Sequence, residues 1–487
     1  MSSVPAPPPD RELNQTAARY VILGVWAALI VLYVVLRSWR LTSYGLWVDE
    51  VFSVRVAQRS WRELFGLLTV DVVHPPFFYI LLKLWIAGGG ATLLWVKLLP
   101  VILAIGSLLP FWLLCRELKL SRTEATLTLW LMAVNGYLIH YSQELRMYSL
   151  LFCLSLWSLW LFVRFVDGRR ASWRIVLPLF IVNVLLVYTH YFGWLLVGTE
   201  WLCVLLWRPR LLGWFSLSLG ALAVAFAPWA YAVAAGSSKG NLQWIPRPGW
   251  AEGVWHVATL NGIMPWRHTT PVGLILFGAP IAFALVRALR DQQPPPRRLF
   301  AMLCVISFVP IVLAFVASQL LSQSVWGERH LIVVALPYLL VVALSLSCVR
   351  RVNWRVALIA LVVAWTGAAG AAGVLAEGGR MPWKSLAQHL IEQEGPAPRK
   401  VTVYTFEGWA ALPLEFLLAD QGNHQFDVVL TQPKLMNGER FWVGFRDTTV
   451  RAGEDPRALL EQRGCRIDAE RTAHDGGQRV ILFRAIC

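Results

Sequence analysis

The stretch "YVILGVWAALIVLYVVL" (20–36) is 17 residues without a charged side chain, and runs like it recur as far as about residue 375. Hydrocarbon offers no water to backbone N–H and C=O groups. Such a chain must therefore form helices that satisfy their own backbone. With 57% hydrophobic and 15% charged residues in 487, the composition excludes a soluble enzyme of this length. The expectation is an α-helical polytopic membrane protein. "MSSVPAPPPDRELNQTAAR" (1–19) reads as a polar, disordered cytoplasmic tail, and the run after it as a true span, not a cleaved signal.

Eleven spans are expected, at about 20–37, 93–114, 125–141, 147–164, 175–190, 193–207, 211–235, 271–287, 299–320, 331–349 and 355–375. Their orientation comes from the loops. "CRELKLSR" (115–122), "RFVDGRRASWR" (164–174), "RPR" (208–210), "RALRDQQPPPRR" (287–298) and "RRVNWR" (350–355) are rich in arginine and belong on the cytoplasmic side. The N-terminus then lies inside and the C-terminal residues outside. "PPFFYILLKLWIA" (75–87) would reach only roughly 20 Å as a helix. It is expected to lie in the outer leaflet, because counting it as a span would put 115–122 outside.

The division expected is a transmembrane domain over 20–376, with a large outer loop at 38–74, and a soluble α/β domain over 377–487. That last part holds 14 Lys+Arg against 15 Asp+Glu, so the net charge of +15 belongs to the membrane part. There it fixes topology and gives no reason to expect nucleic-acid binding. In the outer loop, apolar residues from Val51 to Leu68 suit two short amphipathic surface helices that break near Ser60. Residues 236–270, with four tryptophans, suit an ordered interfacial loop. In the last domain, helices, strands and a final hairpin alternate. A turn centred on Gly476 would pair Cys465 with Cys487, which can form a disulfide outside the cytoplasm.

Polar groups gather at the outer ends of the spans: Asp49 and Glu50, His74, Glu144 with Arg146 and Tyr148, His190, and Arg329 with His330. Lys97, Arg146 and Arg329 are cations on the side where topology disfavours them, and a phosphate would account for them. From the residues alone, Asp49 is a general base or a helix N-cap; both readings stand. His74 before Pro75-Pro76 is a site residue or a helix start. His190 suits a helix-end donor to a carbonyl, Tyr141 and Tyr148 an aromatic belt, and Glu200 a protonated structural role. A divalent metal ion held by Asp49, Glu50 and His74 is a further possibility for the same charge.

Taken in order, "WVDE" (47–50), "DVVHPPFFY" (71–79), "SQELRMYSL" (142–150) and "ERHLIVVALP" (328–337) resemble the GT-C glycosyltransferases, with family 39 the nearest branch. That branch includes protein O-mannosyltransferases and lipid A aminoarabinose transferases. The resemblance covers roughly residues 20–350. It implies transfer of a sugar from a polyprenyl phosphate to a hydroxyl of a glycan, lipid or protein, at the outer face of a bacterial inner membrane, with an undecaprenyl carrier. The family's catalytic acid matches Asp49, with Glu50 beside it as second acid, metal ligand or partner for an arginine; since phosphate is the leaving group, one base suffices for an inverting displacement, and Lys97, Arg146, Arg329 and His330 are groups for the phosphate. Two other readings are a flippase for lipid-linked saccharides and a polymerase or ligase. A flippase needs polar groups along a path through the bilayer, which are not evident here.

Overall fold

The computed structural model describes residues 9–168, 172–235, 245–262, 269–290, 297–375, 383–395, 400–405, 408–430, 440–446, 455–475 and 478–487. The expected domain boundary at 376/377, parts of the 164–174, 236–270 and 287–298 segments, and the turn residues Gly476 and Gly477 lie outside them.

The chain opens with helix α1 (Pro9–Ser38), which starts well before the expected tail ends. At its C-terminal end, Arg37 is buried. Its guanidinium lies over the Tyr33 ring and donates to the carbonyls of Met132 (2.9 Å) and Ala133 (3.2 Å). Those carbonyls belong to the C-terminal turn of a later helix, where no intrahelical N–H is left to satisfy them. One buried cation therefore caps a neighbour.

Two amphipathic helices follow, α2 (Val48–Gln58) and α3 (Trp61–Asp71), broken at Ser60 as the sequence implies. Ser60 caps α3: its hydroxyl accepts the Glu63 amide, while Glu63 accepts the Ser60 amide in return. Helix α4 (Phe77–Gly89) has 13 residues, begins after Pro75-Pro76, and ends at Gly90 with φ +84°. At roughly 20 Å it is too short to span.

Helices α5 (Leu93–Gly106) and α6 (Leu108–Glu117) form one membrane-length unit, bent at Ser107. The expected single span over 125–141 is instead two helices, α7 (Arg122–Val134) and α8 (Gly136–Ser142). Asn135 divides them. It is extended (φ −65°, ψ 112°), its Oδ1 caps Leu138, and its Nδ2 donates to the Leu260 carbonyl. Asparagine favours such caps over helix interiors.

The bundle continues with α9 (Tyr148–Asp167), α10 (Trp173–Thr189), α11 (Gly193–Trp207) and α12 (Leu212–Ala235). Within the 236–270 segment is a further helix, α13 (Trp250–Leu260). Then come α14 (Thr270–Arg290), α15 (Arg297–Leu320), α16 (Ala335–Ser347) and α17 (Val352–Leu375). A 3-10 turn, Glu328–Val334, leads into α16. Helix α16 is apolar on every side and almost wholly buried, so it is the centre of the bundle. Among the described residues, eight helices are long and apolar enough to cross a membrane; α4, α10 and α11 are shorter apolar helices. Between α9, α10 and α11, Glu200 is fully buried, bonded to Ser158 (3.0 Å), which also bonds Asn183 (2.7 Å).

The last part comprises α18 (Trp383–Glu394), β1 (Val401–Thr405), α19 (Gly408–Asp420), β2 (Phe426–Leu430), β3 (Arg440–Arg446), α20 (Pro456–Gln462), β4 (Arg466–Asp475) and β5 (Gln478–Ile486). The five strands form one sheet in the order β2-β1-β3-β5-β4, parallel at β1 and antiparallel around β5. Cys465 and Cys487 are disulfide-bonded. The expected register holds next to them, at Arg466↔Ile486, but a bulge between Ile467 and Ala469 shifts the rest by one. Asp475 pairs with Gln478, so the turn is centred half a residue later than expected, and the bulge offsets that error.

Candidate active site

The site begins at the N-terminus of α2. Asp49 is in its first turn, but it is not the cap. Glu50 has that role: its Oε2 accepts the Trp47 amide (3.0 Å) and its Oε1 the Leu145 amide (2.6 Å). Glu50 is 3% exposed, and both its oxygens are taken by backbone. The residue expected as a second acid is thus bonded through both oxygens to backbone amides. Glu50 ties α2 to the turn before α9, leaving the Asp49 carboxylate directed elsewhere.

That turn, residues 143–147, is not helical. A tight bond from the Arg146 amide to the Glu144 carbonyl (2.7 Å) folds it back on itself. Arg146 is buried, and its Nη1 donates to the Asp49 carbonyl (3.0 Å), to Ser53 Oγ (2.8 Å) and, at 3.5 Å, to the Tyr79 hydroxyl. The sequence by itself does not single out Ser53 or Tyr79. Ser53 lies one turn beyond Asp49, and Tyr79 ends the "DVVHPPFFY" motif, which is the signal that could have found it.

Arg329 approaches from the 3-10 turn. Its Nη1 is 3.9 Å from Asp49 Oδ2, and its guanidinium sits 5.9 Å from the Trp47 ring centroid. The Arg329 and Asp49 side chains are 20% and 28% exposed, so this pair is reached from outside. The Tyr137 hydroxyl holds the turn by donating to the Glu328 carbonyl (2.7 Å).

Three histidines meet beside this pair, from segments far apart in sequence. Ring centroids lie 4.5 Å apart for His190 and His330, 5.1 Å for His74 and His190, and 6.1 Å for His74 and His330. All three are buried. Burial, with Arg146 next, holds His74 well below its usual range; burial and Arg329 push His190 down to about 3. Both are therefore neutral at pH 7. His190 Nδ1 accepts the Phe192 amide (3.1 Å), so it is an acceptor and not the expected donor to a carbonyl. Its proton is then assigned to Nε2. His190 Nε2, His74 Nδ1 and both nitrogens of His330 find no hydrogen-bond partner among the described residues.

Tyr148 belongs to this group and not to an aromatic belt. It is fully buried, 6.4 Å from the His330 ring, and its hydroxyl too finds no partner among the described residues. Glu144 is buried. Its Oε2 lies 3.8 Å from His140 Nε2, and its Oε1 finds no partner among the described residues. Burial first, and Glu50 second, push its carboxyl up to about 7. Burial also raises Asp71, with Arg146 pulling the other way. Lys97 is buried on α5, a helix that packs against α4, α8 and α9. Among the described residues, no group of three or more His, Cys, Asp or Glu is arranged to hold a metal ion.

The backbone leading into His74 is strained. Val72, the C-cap of α3, has φ +50°, a left-handed conformation that a β-branched residue seldom adopts. Its carbonyl accepts the Tyr191 hydroxyl (3.0 Å), which also receives Trp229 Nε1 (3.2 Å). Neighbouring helices thus hold the turn that presents His74.

The C-terminal sheet domain is fastened to the same loop and to the start of α5. Arg55 of α2 pairs with Glu415 of α19. Asp420 accepts the Leu93 amide (2.9 Å), and Lys384 donates to the Thr42 carbonyl (2.6 Å). Gly45 lies so close to Leu417 that a Cβ there would be 2.5 Å from its Cδ1.

No family model matches the chain, and no curated protein sequence is significantly similar to it. Solved structures are similar. The ArnT of Cupriavidus metallidurans bound to undecaprenyl phosphate aligns over 96% of this chain and 98% of its own, at 13% identity with a TM-score of 0.58. Its apo form gives the same coverage, 14% identity and 0.57. The apo oligosaccharyltransferase of Archaeoglobus fulgidus aligns over 81% of this chain and 64% of its own, at 13% identity and 0.52. The chain has the fold of these structures.

Proposed function

We propose, from the premise that the chain has the GT-C fold, that it is a membrane glycosyltransferase using a polyprenyl-phosphate sugar. The sugar passes to a hydroxyl of a glycan, lipid or protein at the outer face. The observation that carries this reading is the pairing of Asp49 with Arg329 at 3.9 Å, above the buried Arg146. A base and a phosphate-binding cation then share one accessible site, with Arg146 bracing the helix beneath.

The chemistry divides as follows. Asp49 takes the proton of the acceptor hydroxyl, whose oxygen forms a bond to the anomeric carbon. The bond from that carbon to the phosphate oxygen breaks on the opposite face, inverting the centre. Charge develops on the departing polyprenyl phosphate, and Arg329 is placed to meet it. His190 Nε2–H, His330 and the Tyr148 hydroxyl add donors without adding charge. Glu50 and Arg146 hold α2 so that Asp49 faces the acceptor.

The reading includes a bacterial inner membrane, a cytoplasmic N-terminus and an outer domain over 377–487, with an undecaprenyl chain as the carrier. The charged site groups gather at one end of the bundle, as an enzyme needs and a flippase does not. The test is transfer in vitro from a panel of polyprenyl-phosphate sugars by the purified chain, with and without chelator. Turnover of one donor supports the reading, and loss of it with chelator adds a metal. No turnover of any donor, together with ATP-independent translocation of the same lipids in vesicles, would replace it with the flippase.

A further inference from the structure

Helix α2 carries Asp49, yet its 11 residues are too few for a helix to hold its place alone. It is gripped from two sides. Glu50 and Arg146 fasten one side to the turn before α9. The other side meets α19 of the C-terminal sheet domain. At about 100° of rotation per residue, Ser53, which accepts Arg146, and Arg55 point about 160° apart, and Arg55 pairs with Glu415 of α19.

Helix α19 is itself fixed to the bundle. Thr92, just before α5, makes no side-chain cap; Asp420, the last residue of α19, accepts the Leu93 amide (2.9 Å) in its stead. One apolar core runs from Leu46 and Val51 into Leu414, Leu417 and Leu418 of α19. The closest approach is at Gly45, four residues before Asp49. A Cβ there would lie 2.5 Å from Leu417 Cδ1, 3.1 Å from Cδ2 and 3.2 Å from Cγ. Leu417 is buried, and turning it about its last bond exchanges one methyl for the other while Cγ stays in place. The backbone at Gly45 is outside the left-handed region, so the glycine serves this contact and not a turn. Leu46 is fully buried and the Trp47 amide is held by Glu50, so residues 45–47 carry any shift at Gly45 into the first turn of α2.

We infer that Leu417 and Glu415 are positioning residues for Asp49: through α19, the C-terminal sheet domain sets where the base stands relative to Arg329. The inference rests on the reading of Asp49 as the base. Asp49 and Arg329 come from different segments, so their 3.9 Å separation follows from where α2 sits. Misplacing a reacting group by ~1 Å costs on the order of a hundredfold in rate.

The test is a pair of rescues in the full chain, held in nanodiscs. Gly45→Ala should lower the single-turnover rate by about ten- to a hundredfold and leave donor affinity within about twofold, because Arg329 is on another segment. Leu417→Ala makes room for the added methyl, so Gly45→Ala should cost little rate when measured against Leu417→Ala alone. Glu415 and Arg55 are partly exposed, so folding is not at stake there. Glu415→Arg should slow transfer about threefold, and Arg55→Glu/Glu415→Arg should restore it. Hydrogen exchange at residues 48–58 reads the displacement without turnover: it should quicken in Gly45→Ala and recover when Leu417→Ala is added. A parent chain that transfers no sugar would defeat the proposed function, while exchange still decides whether α19 places α2. Four results overturn the inference: parent-like transfer by Gly45→Ala, a loss of unchanged size beside Leu417→Ala, unchanged exchange at α2, or rate and donor affinity falling together. A loss in Glu415→Arg that the swap does not recover, or no loss at all, would remove Glu415 from the assignment.

Discussion

Replacing Asp49 by Asn should stop transfer and leave the protein folded, and the structure says why the two effects separate. The backbone carbonyl of Asp49, not its side chain, receives Arg146 at 3.0 Å. The cap of α2 is made by Glu50. The side chain pairs with Arg329 at 3.9 Å, and both side chains are partly exposed. Such a pair contributes about 0–1 kcal/mol, so thermal stability should hardly move. Asparagine cannot accept the proton of a hydroxyl, and losing a general base costs about 10²–10⁴ in rate. That corresponds to roughly 3–5.5 kcal/mol of barrier. Donor binding should not weaken. Arg329 loses a competitor for the phosphate, so affinity should stay level or tighten up to about fivefold. Single-turnover transfer from a labelled donor, measured alongside donor affinity and melting temperature, reads all three. Near-normal turnover would refute Asp49 as base. A lost rate that tracks lost donor affinity would show that Asp49 binds substrate and does not move a proton.

Arg329→Ala should weaken donor binding by about tenfold or more, the worth of one charge-assisted contact, with little change for the acceptor; the reverse pattern in binding measurements would reassign it. Glu50→Ala should lower stability by about 1–3 kcal/mol for each of the two amides it strands, seen as a lower melting temperature alongside lost activity. An inactive variant that melts like the parent would restore Glu50 as a catalytic acid. Glu144 has its carboxyl at about 7, so it ionises as pH rises through that value and then competes for the nearby cations. Donor affinity should fall across that range and become flat in Glu144→Gln. Because the folded state keeps this proton beyond the ordinary value near 4.5, its share of stability is full below 4.5 and is lost as pH rises to about 7. Replacing both Cys465 and Cys487 by Ser opens a crosslink spanning 22 residues and should cost about 3 kcal/mol. Mass spectrometry of unreduced protein finding both thiols alkylated would mean the bond is absent.

Much of the fold was legible because its causes are local. Membrane helices follow from runs of apolar residues, since hydrocarbon leaves the backbone no other partner. The break at Ser60 follows from a serine followed three residues later by a glutamate, which satisfies two amides within one turn. The strands and helices of the last domain follow from their periodicity, and the hairpin from its glycine turn. The gathering of charged groups at one end of the bundle was legible too, because the sequence places each of them at a helix end.

What the tertiary structure decided is what each group does there. Asp49 and Glu50 are adjacent and chemically alike, yet one faces outward and the other accepts an amide 95 residues away. No local pattern separates them, because the partner that distinguishes them arrives only when α2 docks beside the turn before α9. His74, His190 and His330 read as three separate helix ends. Packing brings their rings within 4.5–6.1 Å, and burial makes His74 and His190 neutral, a property of the assembled surroundings. Asn135 interrupts an apolar run because its side chain meets Leu260, 125 residues on. Propensity and periodicity act over a turn or two of chain, whereas desolvation, long-range hydrogen bonds and charge pairing depend on which segments meet.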